Sequence, residues 1–201
     1  MPEYTFELRS KIDDALAEEL FELYLENFGP LATLAAARHV LTREEWDHEM
    51  QDERIDKFLV VSDTGEIVGL MTAVRDLDAV PWVSKEFFEA RYPGRTVQYQ
   101  GLTMIKKEHR SIELLLSLFH RGVESTPEGA VIAFDCSEYN VSRGYLDRIG
   151  FATGAPIEEV DVQRYYALER ADAVIDLSAI EQQPTIDLRD SAKAEEADRT
   201  A

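Results

Sequence analysis

The stretch "KKEHR" at residues 106–110 gathers Lys106, Lys107, His109 and Arg110 just ahead of an apolar helical pattern. In a chain of net charge −19 it is the densest local positive charge. Cations at a helix start suit an anion such as phosphate, because the backbone N–H groups there point outward and carry partial positive charge. The ordinary alternative is a solvated loop. Further on, "AVIAFDCSE" is an apolar run closed by a carboxylate, Asp135. A carboxylate in that place can take a proton from an amine, or it can cap the helix that follows. Tyr145 can give a proton to a leaving group within reach, or it can pack as an aromatic. Cys136 is the one cysteine; it lacks an obvious histidine partner in the sequence and reads as packing. His39, His48, His109 and His120 have no metal-ligand spacing, so no metal is expected. Neither a Gly-x-Ser-x-Gly elbow nor a Walker loop occurs.

The elements around these residues follow from periodicity. "YTFELRS" alternates like a half-buried strand. Ile12, Leu16, Leu20 and Leu23 form one helical face that stops at Gly29 and Pro30. "LATLAAARHVL" reads as a second helix. In "TREEWDHEM" Thr42 and Glu45 have capping-box spacing, and Leu41 with Trp46 fits a hydrophobic staple. "KFLVVSDTGEIVGLMTAV" is a hairpin, "VSKEFFEARYP" a short helix, and "TVQYQGLTMI" a strand. "RSIELLLSLFHRGVES" is a helix, "AVIAFDCS" a strand, "NVSRGYLDRIG" a short helix and "EEVDVQRYYALE" a last strand region. The strand–helix–strand part at residues 96–136 must cross over right-handed, which makes its two strands parallel, while the early hairpin is antiparallel. The expected fold is α/β (α+β): a mixed, mostly antiparallel sheet with a central parallel strand pair and helices on both faces.

This order, with two local stretches, resembles the GNAT superfamily of N-acyltransferases. The first stretch is "NVSRGYLDRIGF", which is similar to the family's Asn-…-Leu-Tyr-x-x-x-Gly-Phe helix after the fifth strand. Asn140, Tyr145, Gly150 and Phe151 are the matching residues, with Asn140 and Tyr145 each one place off when counted back from Phe151. The resemblance implies that Gly150 ends this helix as a left-handed cap and that Phe151 starts a core strand. The second stretch is "TMIKKEHRSIELLLSLF", similar to the family's fourth strand, phosphate loop and following helix. Aligned on Arg110, the two glycine positions of that loop hold Glu113 and Leu115. A carboxylate there repels a diphosphate.

What the resemblance implies is a splayed pair of strands that admits a pantetheine thioester as co-substrate, from acyl-CoA or an acyl-phosphopantetheine carrier. Leu102, Thr103 and Met104 would lie along the arm, which pairs with backbone like an added strand. Ile105, Lys106, Lys107, His109, Arg110, Ser111 and Asn140 would complete the cofactor site, with Tyr145 as acid and Asp135 as base. The acceptor would be a small-molecule amine, with Trp82, Phe87, Phe88 and Tyr92 either lining its pocket or packing an insert onto the sheet. Relatives that use acyl carrier proteins also lack the glycine loop, so such a carrier stays open as a partner, as does a homodimer. The other reading is a non-catalytic binding or assembly protein that has lost coenzyme A, or an enzyme with other chemistry in the same cleft.

The 201 residues fit one domain over residues 1–169 and an acidic extension over 170–201, either a docked arm or a disordered tail. Such acidity argues against binding nucleic acid, whose affinity comes from clustered Lys and Arg. No apolar stretch reaches the roughly 18 residues of a membrane span. "MPEYTFELRSK" lacks the basic start and apolar core of a secretory signal, and a lone cysteine suits a reducing compartment, so a cytoplasmic location is expected.

Overall fold

Two faces of one sheet take up most of the apolar periodicity. The computed structural model describes residues 3–36, 40–154 and 156–167. One compact unit spans residues 1–160. Its strands are β1 (Tyr4–Arg9), β2 (Ile55–Ser62), β3 (Ile67–Val74), β4 (Val97–Ile105) and β5 (Val131–Phe134). They lie side by side in chain order. The β1/β2, β2/β3 and β3/β4 pairs are antiparallel, and β4/β5 is parallel. The expected mixed sheet is therefore present. Its parallel pair lies at an edge of the described strands, because no strand among the described residues follows β5.

Helices α1 (Asp14–Phe28) and α3 (Arg43–Gln51) cover one face. Asp13 caps α1 by accepting the Leu16 N–H at 3.0 Å. Thr42 and Glu45 close the expected capping box on α3. Trp46, Tyr24, Leu20 and Met50 pack there against Leu59, Leu70 and Met104 of the sheet. Trp46 is fully buried, and its indole N–H donates to the Ala17 carbonyl at 2.9 Å. Helix α5 (Ile112–Ser125) covers the other face, with Leu114 and Leu118 against Phe58, Val60, Val68 and Met71. Between β3 and β4 the short helix α4 (Lys85–Arg91) carries Phe88 onto a third cluster with Val80 and Tyr99. No helix among the described residues is long and apolar enough to cross a membrane.

Three sequence expectations change. The second helix, α2, covers only Leu31–Leu34, since Ala35 is extended and Leu41 N–H donates to the Tyr24 hydroxyl at 2.8 Å. His39 lies outside the described residues. After β5 come two helices, α6 (Glu138–Val141) and α7 (Tyr145–Thr153), so Asn140 belongs to a different helix from Tyr145. Helix α7 runs straight through Gly150 and Phe151. Its left-handed cap is Gly154 (φ 64°), and Phe151 is 93% exposed rather than the start of a core strand. A glycine inside a helix costs about 1 kcal/mol but does not end it; the stop comes where φ turns positive and Pro156 follows.

The described residues 156–167 contain no strand, so the last strand region expected there is absent. Residues 161–167, which open a second unit, hold neither helix nor strand. The expected extension over 170–201 lies outside the described residues.

The Trp46 packing gives a direct test of this core. Trp46→Ala should lower stability by about 3–5 kcal/mol. A urea melt should show this as a shifted midpoint with little change in slope.

Candidate active site

The parallel ladder between β4 and β5 is short. It pairs Val97 with Val131, Gln98 with Ile132, Tyr99 with Ala133 and Gln100 with Phe134, and then β5 ends. Strand β4 continues to Ile105 with only β3 beside it. The two strands thus part after Gln100, leaving residues 101–105 with a backbone edge that meets no described strand.

A bulge marks the same point. Met71 pairs with Thr103, but the next pair is Ala73 with Gln100. Strand β3 spends one residue, Thr72, where β4 spends Gly101 and Leu102. A bulge of this kind bends its strand and increases local twist. The Leu102 N–H donates to the Thr72 hydroxyl at 3.1 Å in place of a ladder carbonyl. A Cβ on Gly101 would lie 2.6 Å from that hydroxyl oxygen, so only glycine leaves it room.

Below the gap, on the α1/α3 face, Tyr99 is 4% exposed and its hydroxyl donates to the Asp135 carboxylate. Burial and then the Asp135 charge hold this phenol protonated, far above its ordinary value. Tyr99 is therefore a fixed donor that orients Asp135. Asp135 itself faces solvent just past the end of β5. Of the insert aromatics, Phe88 packs on the sheet cluster, Phe87 meets it edge-on and Tyr92 stacks on it. Trp82 is the one left exposed, at 58%.

Beyond β5, burial first and then the Asp135 and Glu138 charges raise the Cys136 thiol to about 11. Tyr145, the first residue of α7, is half-buried. Burial first, then nearby Cys136, raises its hydroxyl to about 12. Both groups are protonated at neutral pH. A thiol so held is a poor nucleophile, and a phenol so held is a hydrogen-bond donor.

The basic loop is engaged internally. Lys106 pairs with Glu66 at 2.7 Å and Glu19 at 3.3 Å. Arg110 donates to the Ile105 carbonyl at 3.0 Å and to Asn27 at 2.8 Å. His109 Nδ1 lies 3.0 Å from the Tyr4 hydroxyl. Ser111 caps α5 by accepting the Leu114 N–H at 3.1 Å, and Glu113 sits in the first turn. Lys107 is the one cation of the stretch without an ion pair or side-chain hydrogen bond among the described residues. Leu102 and Thr103 are half-buried, Met104 and Ile105 buried, and Asn140 exposed on α6. The structure puts Asp135 where β5 ends and the free edge of β4 begins, puts Tyr145 at the start of α7, and leaves Asn140 on a separate helix. Among the described residues no cluster of His, Cys, Asp or Glu could hold a metal.

Sequence reasoning missed Tyr99, Thr72, Lys57 and Glu49. Glu49 is the most legible in retrospect, since it shares the apolar face of α3 with Trp46 and Met50. It is 8% exposed, and desolvation raises its carboxyl to about 7. The Thr72 hydroxyl and the buried Lys57 ammonium oppose that rise. Lys57 donates to the Ser10 and Asp52 carbonyls at 2.9 and 2.7 Å, and burial lowers it to about 8.

The Glu49 shift fixes a pH dependence. From its ordinary value of 4.5 up to about 7, the folded chain keeps a proton that the unfolded chain releases. Stability therefore falls as pH rises through that window, by up to about 3 kcal/mol. Glu49→Gln should remove this part of the slope and gain on the wild type at pH 8. Denaturant midpoints of both proteins at pH 5 and pH 8 measure it.

No family model matches the chain, and no curated protein matches it. Solved structures do. A possible acetyltransferase from Clostridium difficile 630 superposes with TM-score 0.53 at 10% identity, covering 82% of this chain and 99% of that one. A GNAT family acetyltransferase from Listeria monocytogenes 4b F2365 superposes with TM-score 0.50 at 14% identity, covering 71% and 84%. With the mixed sheet, the single parallel pair and the parting of its strands, the chain has the fold of the GNAT acetyltransferases.

Proposed function

We propose that the chain is an N-acyltransferase that moves an acyl group from a pantetheine thioester to the amine of a small molecule. The observation that carries this reading is the edge of β4 at residues 101–105, which meets no described strand once β5 ends and which begins at the bulge. An extended amide-bearing arm satisfies such an edge by pairing as an added strand. In the reaction the amine nitrogen attacks the thioester carbonyl, the C–S bond breaks, and the sulfur leaves as a thiolate. Asp135, held by Tyr99, accepts the proton the amine loses. Tyr145 donates a hydrogen bond to the departing sulfur. Direct attack fits this cleft better than an acyl-cysteine route, because Cys136 stays protonated.

The loop supports recognition of the arm over recognition of the diphosphate. Lys106 and Arg110 are engaged by neighbours, which leaves Lys107 to meet a phosphate, either of coenzyme A or of an acyl carrier protein. The same engagement, with Glu113 in the first turn of α5, favours the second reading, a GNAT-like binding protein that no longer takes coenzyme A.

Thermal melting with acetyl-CoA, longer acyl-CoAs and CoA separates the two. A ligand at 100 times its dissociation constant stabilises by about 2.7 kcal/mol. A shift with any of them is expected. No shift with these or with acyl-carrier thioesters would overturn the acyltransferase reading. Glu113→Gly should tighten CoA about fivefold by removing a repulsive charge; unchanged or weaker binding would contradict the placement of the diphosphate at this turn.

A further inference from the structure

Strand β1 closes one side of the sheet, and its outer edge meets no strand among the described residues. Which groups that edge presents follows from β2. The Ser62 N–H donates to the Glu66 carbonyl at 2.8 Å, and just ahead of β2 the Arg54 carbonyl accepts from the Arg75 N–H at 2.9 Å. Even-numbered residues of β2 thus bond toward β3, so Lys57, Leu59 and Val61 bond toward β1. Their register partners are Arg9, Glu7 and Thr5. That leaves the N–H and C=O groups of Tyr4, Phe6 and Leu8 pointing outward, a template for another strand. A groove of about 390 Å³ lies along the same edge, with Tyr4, Phe6, Leu8, Phe58 and Arg121 in its wall. Leu8 is 56% exposed there. Natural edges are commonly blunted by proline, lysine or a bulge. Strand β1 has no proline or lysine, and its register with β2 runs without a shift.

We infer that β1 is a dimer interface: it pairs antiparallel with β1 of a second copy about a two-fold axis at Phe6. In this register Phe6 faces Phe6, Tyr4 faces Leu8, Thr5 faces Glu7 and Glu3 faces Arg9 of the other copy. A two-fold contact is self-complementary, so each unlike pairing occurs twice. Outward backbone groups meet outward ones along the whole strand. Glu3 and Arg9 fall in the close, non-hydrogen-bonded kind of pair, where opposite charges stabilise. An axis at Thr5 or Glu7 would set acid against acid, which repels. An axis at Tyr4 or Leu8 would leave one end of the strand unpaired. Local charge also suits a like copy. The chain carries −19, yet along this edge Glu3 and Glu7 are matched by Arg9 and Arg121. Arg9 pairs with Glu7 at 2.7 Å, and the Arg121 guanidinium lies 5.3 Å from the centre of the Phe6 ring. Two copies therefore meet here without the repulsion that the net charge imposes elsewhere. The inference is independent of the acyltransferase reading.

Sedimentation velocity on the full chain tests this. At about 100 µM the wild type should sediment as a particle of twice 22.9 kDa. Leu8→Pro removes an outward N–H without touching the β1/β2 ladder. It should weaken the dimer about tenfold relative to Leu8→Ala, with circular dichroism unchanged. Glu3→Arg and Arg9→Glu should each raise the dimer dissociation constant about tenfold, and the double variant should return it to within about threefold of wild type. A wild type that is monomeric at that concentration would overturn the inference and leave the edge bare or to a segment of another protein. So would a dimer that Leu8→Pro and both charge reversals leave intact, since its interface then lies elsewhere. A double variant as weak as the single ones would overturn the register at Phe6. If Leu8→Pro does not fold, the charge reversals and their double variant still decide it.

Discussion

A backbone amide in the wrong register organises this molecule. Buried N–H and C=O groups must find partners, and in a sheet the ladder supplies them. At Leu102 the ladder fails, because β4 spends two residues against one of β3. The Thr72 hydroxyl makes up the missing bond, and Gly101 gives it room. At the same place β5 ends, so the two strands part after Gln100. The edge thus opened lies beside Met104 and Ile105, whose side chains are buried in two different clusters on opposite faces. The edge is accordingly held rigid from both faces while its backbone stays available.

Charge divides the two ends of that edge. A chain of net charge −19 could have kept its loop cations clear for an anion. Instead Lys106 bridges α1 and the β2–β3 turn through Glu19 and Glu66, and Arg110 ties the end of β4 to α1 through Asn27. These contacts fasten the loop to the fold. Exposed ion pairs contribute little singly, but they lower the positive potential that a diphosphate would need. At the other end Asp135 stands exposed just past β5 and accepts from Tyr99.

How much of this was legible in sequence depends on the kind of signal. Capping chemistry is local, so the box on Thr42 and Glu45 and the stop near Gly29 are visible in it. Two apolar, β-branched runs on either side of a short turn show the strands of the early hairpin. The Gly150–Phe151 pair misleads for a physical reason: glycine permits a left-handed cap but does not compel one. The real stop is Gly154, and Phe151 stays on the helix surface. Bulge and buried contacts are pairings between distant segments. Thr72 sits in an apolar run that gives no hint of the amide it serves. Tyr99 meets Asp135 only because β4 and β5 lie side by side. Glu49 alone left a trace, as a carboxylate between Trp46 and Met50 on an apolar face.

The two carboxylates near the gap show how environment assigns roles. Asp135 is in water and is held by a phenol that cannot ionise near neutral pH, so it offers lone pairs to whatever enters. Glu49 is shut away from solvent, its charge opposed by desolvation and offset in part by Lys57 and Thr72. A buried charge held by incomplete compensation weakens a fold. Replacing Glu49 and Lys57 by apolar side chains of similar size would ease that cost.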